Sequence, residues 1–183
     1  MAFSFSKLLT NIIAFPSKPG SGALARKQFQ DMFDEVATGI NKLMNPPMCS
    51  VYSSIEQSIP DNVDTPLNFN VERFDTDNIH DNAPTPARLT CKTAGKYRIS
   101  ACVNFTATAT GYTELELVIN STSIIAKDVS PANSAIGESL NFTILYNLAV
   151  GDYVHLTAKQ SSGGSLNLAS SINANFSMHR IGD

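Results

Sequence analysis

The sequence predicts a mainly β protein, an antiparallel sandwich or barrel entered through one short helical segment. Three observations carry this. From Met48 onward, short runs alternate apolar and polar residues with period two and are separated by turn residues. No stretch after Met48 has a helical period, which excludes an α/β scaffold with crossover helices. Between Ser21 and Asn45, Phe29, Phe33, Val36, Ile40 and Leu43 recur at spacings of 4, 3, 4 and 3, placing them on one seam.

The chain divides by composition into a leader (1–20), a helical stalk (21–47) and a β head (48–183). In the leader, the apolar run Leu8 to Phe15 is broken by Thr10 and Asn11, and no small-x-small cleavage site precedes Pro16. A docking peptide is therefore expected there in preference to a secretion signal. The run is also far short of the roughly 20 apolar residues that span a bilayer, so membrane insertion is not expected.

Ser21 is a suitable N-cap for the stalk, and Asn45-Pro46-Pro47 is a hard stop because proline lacks a donor and clashes with the preceding turn. Two readings of the seam compete. The helix packs on its own head, or it associates with copies of itself. The second is preferred, because Phe29 and Phe33 stand in a charged segment (Arg26, Lys27, Asp31, Asp34, Glu35) beside a head that looks complete without them. The oligomer interface is thus expected at Phe29, Phe33, Val36, Ile40 and Leu43.

In the head, Tyr97 to Phe105 alternates most clearly, with Tyr97, Ile99, Ala101, Val103 and Phe105 on the apolar face. Thr113 to Ile119 sets Leu115, Leu117 and Ile119 against Glu114, Glu116 and Val118. Leu140, Phe142, Ile144 and Tyr146 mark a third strand, and Tyr153 to Lys159 a fourth after the Gly151-Asp152 turn. A last strand runs from Ile172 to Met178, with Ile172, Ala174 and Phe176 facing in. Ser161-Ser162-Gly163-Gly164 reads as a hairpin turn.

Composition narrows the functions. A net charge of −3 with 13 Lys and Arg spread thinly leaves no basic stripe for a phosphate backbone, so nucleic acid is not an expected partner. Cys49, Cys91 and Cys102 are oddly counted and show no CxxC spacing, which predicts free thiols. There is no Gly-x-Ser-x-Gly elbow, no phosphate-cradling glycine loop and no His-Glu-x-x-His helix. His80, His155 and His179 fall in different elements, so neither enzyme nor cofactor is expected.

Asp75, Asp77 and Asp81, with Asp64, are the one carboxylate cluster, and calcium is the ion that such a loop could hold. The fixed glycine and distal glutamate of a calcium loop are missing, and Asx-type turn bonding is the preferred reading. His80 is expected to be a packed loop residue. Four sequons, at Asn104, Asn120, Asn141 and Asn175, are read as solvent-facing strand positions.

Several segments together resemble a known family. Asn68-Phe69-Asn70, Phe74-Asp75-Thr76-Asp77, His80-Asp81, Pro86-Ala87-Arg88-Leu89-Thr90 and Ala94-Gly95-Lys96-Tyr97 follow one another. Gly151-Asp152-Tyr153-Val154 and Phe176-Ser177-Met178 come later. This order resembles the globular head shared by complement subunit q and tumour necrosis factor relatives, in particular bacterial and phage versions. The stretch Ala25-Arg26-Lys27-Gln28-Phe29 resembles the helix that precedes such heads in tailed-phage structural proteins.

The resemblance implies a ten-strand jelly roll that trimerises through aromatic and aliphatic side chains on one sheet. It implies a virion fibre or tail-tip protein, made in the host cytoplasm, whose head contacts a host surface glycan or protein. Its N-terminal segment would dock on other virion proteins. A capsid decoration protein and a bacterial adhesin are the alternatives, and exposed groups near Thr110-Gly111-Tyr112 or Pro131-Ala132-Asn133 would favour recognition over decoration.

Overall fold

A computed structural model describes residues 22–168 and 174–182, with the side chains of residues 22–26, 42 and 43 excepted. The chain forms two compact units, Met1–Pro46 and Pro47–Asp183. The leader and Ile172 lie outside the described residues.

Among the described residues the first unit holds one helix, α1 (Gly22–Met44), 23 residues and hence about 34 Å long. The pair Lys27–Asp31 at 3.1 Å and the bond from the Gln30 amide to Asp34 at 3.0 Å link successive turns along its polar surface. Asn45 N donates to Asn41 O at 2.9 Å, closing the last turn before the two prolines.

The head unit carries twelve described strands. They are β1 (Met48–Tyr52), β2 (Gln57–Ile59), β3 (Thr65–Pro66), β4 (Val71–Asp75), β5 (Arg88–Thr90) and β6 (Gly95–Asn104). These are followed by β7 (Tyr112–Ile119), β8 (Ser123–Pro131), β9 (Ser139–Leu148), β10 (Tyr153–Gln160), β11 (Leu166–Leu168) and β12 (Asn175–Gly182). One five-stranded sheet runs β4-β1-β12-β6-β9; the other runs β3-β10-β7-β8, with β5 also on β10, and β11 pairs β2 in a small third sheet. The strand pairings within each sheet are antiparallel. Ten strands thus make the two layers, the jelly-roll arrangement.

The core lies between the layers. Val51, Tyr97, Ile99, Val103, Phe176 and Met178 face it from the first sheet, and Leu89, Leu115, Leu117, Val154 and Leu156 from the second. Phe69 and Phe176 pack with ring centroids 5.6 Å apart. The Tyr97 hydroxyl donates to Thr93 O at 2.5 Å, and burial pushes the phenol well above its ordinary range.

Gly95 explains the Gly-x-Tyr opening of β6. Its φ is +150°, and a Cβ there would sit 2.4 Å from Gly182 O and 2.6 Å from Arg180 Nε on β12. Any side chain would push the two central strands apart. The Gly151-Asp152 turn is tied in a different way: Asp152 accepts from Ala149 N at 2.8 Å and from the Asn120 amide at 2.9 Å, while Asn120 Oδ1 accepts from Tyr153 N at 3.0 Å.

Three expectations change. The Ser161–Gly164 turn is not a hairpin, because β10 is already paired by β7 on one side and by β3 and β5 on the other; the chain leaves for β2 instead. The strand beginning at Tyr97 ends at Asn104, and Phe105 turns away to bridge Leu168. Asn120 is not on a strand face but in the β7–β8 turn, at φ 50°, with its amide spent on Asp152 and Tyr153.

The open side of the sandwich between β8 and β9 is closed by polar links. Asp128 Oδ2 on β8 accepts from Asn141 N on β9 at 2.9 Å, and the Ser130 hydroxyl donates to Glu138 Oε2 at 2.7 Å. β9 is the edge of its sheet, so Asp128 occupies a backbone donor that no strand pairs.

Candidate functional site

On the helix, the heptad spacing produces a bare apolar stripe. Phe29 and Val36 are each 51% exposed, Met32 is exposed beside them, and Phe33 and Ile40 are half-buried. Phe29 and Phe33 lean on each other with centroids 5.3 Å apart. The Leu43 side chain lies outside the described residues.

At one end of the head, two loops singled out in the sequence meet. Ala132 N donates to Gly111 O at 2.9 Å, and Tyr112 faces Pro131 across the β7–β8 ladder. Gly111 (φ +83°) is forced, since a Cβ would lie 1.9 Å from Ser161 O. The Thr110 hydroxyl reaches Ser162 O at 3.1 Å, and Tyr112 N reaches the Ser161 hydroxyl at 3.1 Å. The surface they form exposes Thr110, Pro131, Ser134 and Ile136. It lies at the opposite end of the strands from Met48, where the chain enters the head, because Met48 aligns through His179, Arg98 and Leu145 whereas these loops follow Asn104 and precede Ser139.

The calcium candidates Asp75, Asp77 and Asp81 are employed otherwise. Asp75 accepts from Asp77 N at 3.1 Å and from His80 N at 2.8 Å, and Asp81 accepts from Ala83 N at 3.0 Å, all of them local turn bonds. Asp77 keeps one buried oxygen without a hydrogen bond. Asp64 pairs with Lys159 at 3.1 Å. Among the described residues, no three His, Cys, Asp or Glu side chains gather in a way that could hold a metal ion. His80 is packed, its ring nitrogens 2.8 Å from Glu72 Oε1 and 3.1 Å from Pro86 O.

The outward face of the first sheet is largely polar. Ser50, Ser177, Ser100 and Thr143 stand side by side across β1, β12, β6 and β9, with Phe74 beyond Ser50. Tyr52, Asn175, Cys102 and Asn141 form a parallel row. The aromatic and aliphatic groups expected on an assembling sheet sit mainly at its margins, at Tyr52, Phe74, Met48 and Leu145. Cys49, Cys91 and Cys102 form no disulfide, and burial pushes the Cys49 thiol well above its ordinary range and raises that of Cys91.

The outward face of the second sheet carries the densest charge. Glu114 and Glu116 on β7, with only 7% and 8% of their surface exposed, flank Lys127 of β8 at 2.6 and 3.3 Å. Burial raises the Glu116 carboxyl, with Glu114 adding to it, and the hydrogen bond to Glu114 raises the Lys127 ammonium. Further along the same face, Arg88 of β5 lies opposite His155 of β10, and its guanidinium stacks over the Tyr153 ring at 4.1 Å. Tyr153 and His155 stack in turn with centroids 6.2 Å apart. Burial, and then Arg88, holds the His155 pKa below its ordinary value. None of this grouping was marked as a site by the sequence: Arg88 and Tyr153 are far apart along the chain and only the β5–β10 register unites them.

The strand order and the antiparallel pairings define a two-layer jelly roll, with no helix among the described residues of the head. The solved structures it is similar to agree. The globular domain of zebrafish complement 1qA superposes with a TM-score of 0.55 at 17% identity, covering 74% of this chain and 97% of that one. Murine APRIL superposes with a TM-score of 0.56 at 11% identity, covering 74% and 98%, and its pH 8.5 form at 10% identity does so to the same extent. At these identities the likeness is one of fold. No family model and no curated protein matches the sequence.

Proposed function

We propose that the chain is a trimeric attachment protein of a virus particle, a fibre or tail-tip component whose jelly-roll head contacts a host cell surface. The observation that carries this reading is the pairing of a head whose core is filled from its own strands with a helix that leaves its seam, Phe29 and Val36 above all, open to solvent. Exposed apolar groups aligned in heptads associate with like helices, and three is the number that the complement q and tumour necrosis factor resemblance implies. The leader would dock on other virion proteins.

The joined loops around Gly111 and Ala132, at the end of the head away from Met48, supply a surface suited to contact with a host glycan or protein. Three such surfaces on one stalk add weak contacts into useful avidity without a deep pocket. Among the described residues no helix is long and apolar enough to cross a membrane.

Light scattering on the full chain tests the assembly: a mass about three times 19.7 kDa is expected, and a monomer at micromolar concentration overturns it. Gold-labelled antibody imaging of particles tests the placement. Label at the tail tip supports attachment, label over the capsid replaces it with decoration, and unlabelled particles end the virion reading.

A further inference from the structure

We propose that Arg88, Tyr153 and His155 form a binding site for the oxyanion, a carboxylate or phosphate, of an acidic surface saccharide on the flank of the head. The site rests on the reading of the head as a binding module, and it is separate from the loops at the head's end.

Strand alternation sets its geometry. Val154 and Leu156 are fully buried toward the core, so Tyr153 and His155 rise from the opposite face, and Arg88 meets His155 directly across the β5–β10 ladder. The guanidinium rests on the Tyr153 ring at 4.1 Å. The Tyr153 hydroxyl donates to the Ser121 hydroxyl at 3.0 Å, which fixes the ring that carries it.

A cation held on an aromatic face is oriented without using its N–H donors. Among the described residues the Arg88 guanidinium has no carboxylate or hydrogen-bond acceptor, in contrast to Lys127 and Lys159 on the same sheet, which are spent on Glu114, Glu116 and Asp64. An arginine fork pre-set in this way matches the two oxygens of a carboxylate or a phosphate. The second observation is beside it: His155 is only 9% exposed, and its Nδ1 is buried with no hydrogen-bond partner. A buried polar atom left unpaired is costly, and an oxyanion seated against Arg88 brings the missing partner within reach of the imidazole, whose ring can turn about Cβ–Cγ to present either edge.

The size of the site selects the ligand class. One guanidinium and one imidazole on a chain of net charge −3 suit a single oxyanion on an otherwise polar ligand and not a polyphosphate backbone. A lone site of this kind is weak, in the millimolar range by order of magnitude, and gains from repetition on an assembled particle.

The test is surface plasmon resonance of the full chain over immobilised oligogalacturonate and over uncharged oligogalactose of equal length. Retention on the acidic surface alone is expected, with a loss of about tenfold or more in Arg88→Gln and a partial loss in Arg88→Lys, which keeps the charge but not the fork. Thermal melting confirms that each variant is folded, and His155→Asn, expected to weaken binding less, gives a second variant. Free galacturonate and glucose 6-phosphate as competitors name the anion: whichever displaces the protein at lower concentration marks the source, and displacement by neither overturns the site. Binding undiminished in a folded Arg88→Gln also overturns it. A trimer on the particle that ignores the acidic surface removes this site alone, whereas a monomer that binds through Arg88 removes the assembly alone.

Discussion

Gln160 ends β10 fully buried, with every polar atom of its amide engaged: the nitrogen donates to Ile59 O at 3.0 Å and Gly164 O at 2.7 Å, and the oxygen accepts from Ser162 N at 2.6 Å. One side chain therefore holds the reversal that carries the chain between sheets. Gln160→Leu fills the space but takes the amide donor from Ile59 O and the acceptor from Ser162 N, and leaves Gly164 O with only the Ser162 hydroxyl at 3.2 Å, so urea unfolding should show a loss of roughly 2–4 kcal/mol. His155 gives a pH signature. Its folded pKa lies below the ordinary 6.5, under burial and then the Arg88 charge, with Val118 across from it on β7. Below 6.5 the unfolded chain takes up a proton that the head still refuses, so this contribution is whole above that value and is lost as pH falls toward the depressed one. The melting temperature should drop between about pH 7.5 and pH 5, and the drop should shrink in His155→Gln.

At the scale of elements, legibility followed how directly a residue's neighbours in sequence decide its surroundings. β6 was readable because its inward residues are fully covered and its outward ones are not, and the helix was readable because spacing and the Pro46-Pro47 stop are local signals. β8 was not: Ile124-Ile125-Ala126 lacks alternation, since a bulge opposite Leu117 and Val118 shifts its register. The turn at Ser161 misled because turn chemistry fixes a reversal and says nothing of which strand edge is vacant. Glu114 and Glu116 read as polar positions, yet both are largely covered beside Lys127. For α1, replacing both Phe29 and Val36 by serine should lower the mass seen by light scattering while leaving the melting of the head unchanged. An unchanged mass would assign assembly to the head.

For the whole molecule, the sequence resemblance carried the architecture further than any single strand could, because Gly95, the Gly151-Asp152 turn and Phe176 are where distant segments touch: β6 on β12, Asp152 on Asn120, and ring on ring across the core. The Arg88 grouping had no such signal. Its parts come from β5 and β10, and only the hint that Tyr153 and His155 alternate with apolar residues was local. The end loops were legible as exposed but not as a pair, since the bond between Ala132 and Gly111 depends on β7 and β8 being neighbours.

Asp128 has a bearing on crowding. Sheets that present a row of unsatisfied donors accrete further strands, and any particle studded with copies of one domain brings identical borders together at very high local concentration. By taking the Asn141 amide of β9, this carboxylate interrupts that row and sets a negative charge along it. A border interrupted in this way offers fewer free donors to the edge strand of a second copy.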